Sequence, residues 1–120
     1  MPDRLKRRSD FLRLAKSGRK WVAPTVIVQA DAGPQDALRV GITATKKLGN
    51  AVARNRTKRR LRAAVRDATR DKRQGCRQDI VLIGRPDTAT CVYATLVRDL
   101  KWCLKRLEVM GHAPLADRPA

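Results

Sequence analysis

Between two β-like apolar runs lies the segment "KKLGNAVARNRTKRRLRAAVRD", from Lys46 to Asp67, and it narrows the possible folds more than any other stretch. On a 3.6-residue period, Leu61, Ala64, Val65 and Ala68 fall on one stripe. Arg56, Arg59, Arg60, Arg62, Arg66 and Arg70 spread over the remaining face. Arg54 and Lys58 fall nearer the stripe but precede its bulky members, which suggests that they flank the helix entrance. Gly49-Asn50 breaks the preceding connection, and Asn50 suits an N-cap. A helix with one narrow apolar stripe must lie on something, and the runs on either side supply a sheet.

Those runs read as strands. "ALRVGITAT" alternates Leu38, Val40 and Ile42 with Arg39, Gly41 and Thr43. "DIVLIGR" is continuously apolar, as a buried central strand is, and Pro86 stops it. Upstream, "WVAPTVIVQA" is strand-like with a proline that suggests an edge or an early bend, and "DAGPQD" is a turn. "SDFLRLAKSG" reads as a short helix with Ser9 as N-cap and Gly18 at its C-cap. "QGCRQ" ends the basic helix. A last helix, capped by Thr88 or Thr90, is expected to run to about Met110 on Tyr93, Leu96, Val97, Leu100, Leu104 and Leu107. The order helix, strand, strand, helix, strand, helix predicts an α+β fold, with helices over a small sheet.

At 120 residues the chain is read as a single domain over 1–120. The ordered part is expected from about residue 4 to 110, with 111–120 as a disordered tail. Its charge is far from ordinary: 28 Lys and Arg against 11 Asp and Glu, or +17. Residues 46–73 carry twelve basic and two acidic residues, ten of those seventeen charges, and the first twenty carry six more. Concentration in two segments favours a docking surface over general solubility. No apolar run reaches the roughly 18 residues of a membrane span, and "MPDRLKRRSDF" lacks the apolar core of a signal peptide. Cys76, Cys91 and Cys103 show no C-x-x-C spacing, which suits reduced thiols in a cytoplasmic protein.

Candidate catalytic groups are few. His112 lies in the expected tail and Glu108 near the end of the last helix, while the aspartates form no cluster with metal-ligand spacing. Asp67 and Asp71 share a helix face but sit among arginines, which suits a salt-bridged surface. "KKLGNA" lacks the glycines of a phosphate loop. No catalytic and no metal-binding residue is therefore assigned to this chain.

Binding is the stronger reading. Like charges at i, i+4 cost a helix a few tenths of a kcal/mol per pair, roughly. Arg56/Arg60, Lys58/Arg62, Arg62/Arg66 and Arg66/Arg70 stack this way with no glutamate between them. Phosphates turn that repulsion into affinity, and arginine grips them bidentately. Strands rather than a second helix flank the segment, against helix-turn-helix DNA reading. Its arginines are too dense for base readout and look like phosphate contacts to a folded RNA.

"RVGITATKKLGNAVARNRTKRRLR" resembles the signature of the bacterial ribonuclease P protein component family. "RLKRRSDFLRLAKSG", "DIVLIGR" and the Leu-rich last helix extend the resemblance over residues 4 to about 108. It implies an α/β sandwich of about four strands and three helices, with a left-handed βαβ crossover around the basic helix. It also implies a function: the protein subunit of an RNA-based endonuclease that removes the 5′ leader of precursor tRNA. The catalytic RNA would hold the Mg²⁺ and the reacting groups, and the protein would contact that RNA and the leader. No membrane and no DNA partner is implied. The residues falling on the RNA-contact motif are Lys46, Lys47, Asn50, Arg54, Asn55, Arg56, Lys58, Arg59, Arg60 and Arg62, with Arg66 a turn further on. Asn50 suits both a cap and an RNA contact, and Phe11 both core packing and the family's leader cleft. Ala15 and Val28 stand where other members often carry cleft aromatics, so charge and shape should matter more here. Trp21 and Trp102 suit packing in the core or at a sheet edge. Small size and basicity leave a ribosomal or RNA-chaperone module as the alternative, with a protein-only nuclease as a third.

Overall fold

The computed structural model describes residues 3–33, 37–70 and 77–107. The turn at 34–36, Asp71, Cys76, Glu108, Met110, His112 and the tail lie outside the described residues. The elements are β1 (Asp3–Arg4), α1 (Arg8–Ser17), β2 (Arg19–Val22), β3 (Val26–Ala32), β4 (Arg39–Thr43), α2 (Ala51–Ala68), β5 (Gln78–Gly84) and α3 (Tyr93–Arg106). One mixed sheet has the order β1-β4-β5-β3-β2. β5 is its centre, as the continuous run of "DIVLIGR" predicts. It pairs parallel with β4 from Arg39↔Asp79 to Thr43↔Ile83 and antiparallel with β3 from Val26↔Gly84 to Ala32↔Gln78. β4, α2 and β5 therefore form a crossover between adjacent parallel strands.

Strand alternation sorts side chains onto two faces. Val26, Val28, Ala30, Val40, Ile80 and Leu82 meet the stripes of α2 and α3, where Leu61, Ala64, Val65, Leu96, Leu100 and Leu104 complete the main core. The other face carries a smaller cluster under α1: Leu5, Leu14 and Val81, with Phe11 and Ile83 against them. The stripe of α2 includes one residue that hydropathy hides. Thr57 is buried beside Leu61 because its hydroxyl donates to Ala53 O at 3.0 Å, satisfying it within the helix. Between the helices, the Tyr93 hydroxyl donates to Asp67, which also pairs with Arg70 at 2.7 Å. Burial, then that carboxylate, pushes the Tyr93 phenol up to about 12. The folded value lies above the ordinary value of about 10, so this contribution is intact below pH 10 and lost as pH rises through the folded value.

The expected sheet of about four strands is present and is extended at one edge by a two-residue β1. Several expectations need correction. "WVAPTVIVQA" is two strands, turned around Pro24 and closed by Ala23 N donating to Val26 O at 2.9 Å. Ser9 does not cap α1, which begins at Arg8 with Arg7 in the cap position and no side-chain bond there. Leu5 N still donates to Val40 O at 2.9 Å, so sheet pairing fixes where the chain turns into the helix. Nor do Thr88 and Thr90 cap α3. Thr88 is buried and donates to Thr25 O at 2.5 Å, while accepting from Arg85 N at 2.9 Å. The chain passes through a 3₁₀ turn, Pro86–Thr88, before α3 starts at Tyr93.

α1 is fastened to the sheet by charge. Asp79, fully buried on β5, receives Arg39 Nε on Oδ1 at 2.8 Å and Arg39 Nη2 on Oδ2 at 2.6 Å. Arg13 of α1 donates to the same Oδ2 and, through Nη1, to Ala32 O at 2.9 Å. Removing the acid leaves the guanidinium groups of a mostly buried Arg39 and a one-third exposed Arg13 facing each other, beside Asp10 and Asp31 at 3.7–3.8 Å. Asp79→Ala should lower the unfolding free energy by about 3–5 kcal/mol, whereas Arg70→Ala, at an exposed pair, should cost less than about 1 kcal/mol. Urea unfolding of both variants checks this; equal losses would mean that the buried cluster holds nothing.

Candidate nucleic-acid interface

α2 begins where backbone conformation is unusual. A 3₁₀ turn, Lys46–Leu48, leads into Gly49 at φ 115°, a region that side chains disfavour. Asn50 follows as the N-cap, its Oδ1 accepting from Ala53 N at 3.0 Å. Lys46, Lys47 and Asn50 are all exposed, so this corner presents two lysines beside the positive end of the helix dipole.

The cations of α2 separate into three rows. The outermost carries Asn55, Arg59, Arg62 and Arg66, all exposed. A second row runs down the flank towards β4: Arg54, Lys58 and Arg62 step at i, i+4, and both Arg54 and Lys58 are half-buried. Arg54 Nε is buried without a hydrogen-bond acceptor among the described residues. The third row leans towards α3 and is committed to the fold. Arg56 Nε donates to Ala89 O at 2.9 Å, and Arg60 donates to Ala89 O at 2.7 Å and Cys91 O at 2.6 Å. Of the six arginines expected to spread outward, all but the half-buried Arg60 are exposed, although Arg56 is also bonded to the fold. Arg56 and Arg60 hold the backbone that leads into α3.

The second row descends into a groove of about 600 Å³ lined by Arg4, Leu5, Lys6, Phe11, Val40, Gly41, Ile42, Lys58 and Arg62. A Cβ at Gly41 would come within 2.6 Å of the Phe11 ring, so the glycine lets the phenyl lie on the strand. Val40 O accepts from Leu5 N, and alternate residues of a strand point their polar groups the same way. Ile42 N–H and C=O therefore face the side where β1 has ended, opening an edge of backbone into the groove.

Of the three cleft residues expected from the resemblance, only Phe11 lines this groove. Ala15 is exposed on α1 but outside the lining. Val28 is fully buried on the opposite face of the sheet, in the core under α2 and α3. A one-residue shift moves a strand side chain to the other face, and the neighbours Ile27 and Gln29 are the half-buried ones. Reading of the sequence did not single out Arg4, Lys6, Gly41 or Ile42 for this role. The available signal was Gly41 itself, since a glycine inside a strand pattern marks a close approach. Among the described residues, no three His, Cys, Asp or Glu side chains converge as a metal site would require. No helix among those residues is long and apolar enough to cross a membrane.

A basic helix crossing over a small mixed sheet, flanked by a cationic groove, defines a small α+β protein made to lie against a polyanion. The family model described as Ribonuclease P matches residues 1–108. A ribonuclease P protein component from Paramagnetospirillum magneticum is 43% identical, covering 98% of this chain and 91% of that protein. One from Ruegeria pomeroyi is 50% identical over 92% of this chain and 86% of its own length. The solved structure of the Staphylococcus aureus RNase P protein superposes with a TM-score of 0.76 at 29% identity, covering 92% of this chain and 99% of that one. The chain belongs to the ribonuclease P protein component family.

The three rows predict different phenotypes. Arg59→Ala and Arg62→Ala should weaken RNA binding and each lower the slope of log affinity against log salt by about 0.9 if one phosphate contact is lost. Arg60→Ala should show chiefly as lost stability, about 1.5–3 kcal/mol for bonds from a charged donor. Filter binding over a salt series, with thermal melts of the same proteins, separates the two. An Arg60 variant of wild-type stability, or outer-row variants of wild-type slope, would contradict the division.

Proposed function

We propose that this chain serves ribonuclease P as an RNA-positioning subunit, binding the catalytic RNA with the outer row of α2 and the 5′ leader of precursor tRNA in the Phe11 groove. The single observation that carries the reading is the arrangement around α2. A solvent-facing row of Arg59, Arg62 and Arg66 with no acid in it shares Arg62 with a groove that is cationic at its rim and has one aromatic ring at its floor. The rim charges Arg4, Lys6, Lys58 and Arg62 suit backbone phosphates, and the Phe11 ring suits contact with a base. With a single ring in the lining, such binding rests on charge and shape and tolerates varied leader sequences.

Asp67, Asp79 and Asp99, the acids nearest the packed elements, are already engaged. Arg39 and Arg13 occupy Asp79, Thr25 donates to Asp99 at 2.7 Å, and Asp67 accepts from Tyr93 and Arg70. Engaged in this way they do not fit a Mg²⁺ site, and the ion falls to the RNA. What the protein would supply is cationic screening. Two polyanions brought together repel, and a basic surface between them lowers the Mg²⁺ needed to hold them.

Purified protein, precursor tRNA and Mg²⁺ are to be incubated with and without the cognate catalytic RNA. Leader removal is expected only when that RNA is present, and at lower Mg²⁺ when protein is added. Cleavage by the protein alone would replace the proposal with a protein nuclease. Unchanged RNA-catalysed cleavage would favour a ribosomal or chaperone-type module.

A further inference from the structure

α3 carries a second cationic face that the α2 interface does not use. Its buried side is the stripe through Leu96, Leu100 and Leu104, and its one acid, Asp99, is 8% exposed and accepts from Thr25 Oγ1. The outer side presents Arg98, Lys101, Trp102, Lys105 and Arg106, all exposed. Arg98 lies 3.8 Å from Asp99 Oδ1, and neither Lys101, Lys105 nor Arg106 forms an ion pair among the described residues. Lys101 and Lys105 stand at i, i+4, the same unfavourable spacing as on α2.

This face also has an aromatic platform. Trp102 is 42% exposed, so part of its ring is open to a ligand. It meets Trp21 of the edge strand β2 edge-on, with centroids 5.5 Å apart at 77°. The Arg106 guanidinium sits 5.5 Å from the Trp21 centroid and 5.7 Å from that of Trp102, held by both rings. An aromatic ring fixed by a second ring and bordered by cations is what single-stranded nucleic acid stacks upon. A protein partner fits less well, because lysine is depleted from protein interfaces.

We propose that the outer face of α3 binds unpaired nucleotides of the catalytic RNA, with a base stacked on Trp102 and phosphates on Lys101, Lys105 and Arg106. The choice of RNA follows from position. α3 packs beside α2 over the same sheet face, whereas the Phe11 groove opens at the β4 edge, across the sheet from β2. An RNA lying along α2 reaches α3 without leaving that layer. The assignment of this RNA rests on the function proposed above.

Both tryptophans of the chain lie in this patch, so their emission reports on it alone. The full-length protein is to be titrated with the catalytic RNA and, separately, with precursor tRNA, while binding is followed independently by filter retention over a salt series. The catalytic RNA is expected to quench the emission. Lys101→Ala/Lys105→Ala should lower the salt slope by roughly 1–2. Trp102→Ala should weaken binding roughly 5- to 100-fold, and Trp102→Phe should recover part of the loss. Should Trp102→Ala fail to fold, the exposed lysine pair still decides the matter. Unquenched emission and an unchanged slope in the lysine variant, with Arg59→Ala still weakening binding, overturn this site and leave the α2 interface standing. If Arg59→Ala is also silent, the functional proposal fails with it. Quenching by precursor tRNA only, or on self-association without RNA, overturns the choice of partner.

Discussion

Everything in this fold is arranged around the need to keep α2 on the sheet. Seven of its eighteen residues are basic and one is acidic, so its own electrostatics oppose the helix. Against this stands a narrow contact: Thr57, Leu61, Ala64 and Val65 are its buried residues. At about 25 cal/mol per Å² of apolar surface removed from water, such small side chains hold a helix modestly. Neighbouring elements make up the difference. Asn50 closes the first turn, Asp67 ties the last to Tyr93, and Arg60 fastens the middle to two carbonyls at the approach to α3. A helix selected for stability alone would not combine so little grease with so much charge.

The three rows resolve an apparent contradiction in that design. An arginine on a basic helix is not automatically available to a ligand. Those nearest α3 satisfy the Ala89 and Cys91 oxygens in the irregular segment Pro86 to Cys91, which no strand or α-helix pairs. Nearest β4, Lys58 and Arg62 bring their charged ends to the groove rim, as long cationic side chains do. Only Arg59 and Arg66 of the outer row are free of both tasks. The same partition explains why Asp79 takes two arginines. One buried acid anchors cations from β4 and α1 at once, so α1 is set at a fixed angle over the sheet with Phe11 lying on Gly41.

Much of this was legible in the residues, and the misses share a cause. Element type and order were readable because α2, α3 and β5 bury strong periodic patterns, and the motif running through Lys46 to Arg62 identified the family. Boundaries set by tertiary contacts were not readable. Ser9 has the right chemistry for a cap, yet the Leu5–Val40 bond decides where α1 begins. Thr88 looks like a cap and is instead buried against Thr25. Val28 matches a cleft position in the family pattern yet is buried in the main core, because strand parity decides which sheet face a side chain joins. The roles of Arg56 and Arg60 were invisible for another reason: their partners are backbone oxygens more than 28 positions away, which leave no mark in composition.

The scarcity of aromatic residues sharpens the picture of how such a surface discriminates. The chain has one Phe, one Tyr and two Trp. Tyr93 is occupied by Asp67 between two helices, so three rings remain for stacking, and they fall at opposite edges of the sheet: Phe11 over β4, the tryptophans at β2 and α3. Phosphate contacts position an RNA without reading it, and α2 lies between those two edges with phosphate-type chemistry only. Orientation must then come from the ends. Under the proposed division of ligands, a rigid catalytic RNA could satisfy the arginine rows in many registers, but far fewer would also bring an unpaired base to Trp102 while leaving the Phe11 groove open to a leader. Two rings at opposite edges would then orient two RNAs on a surface with almost no base-specific chemistry.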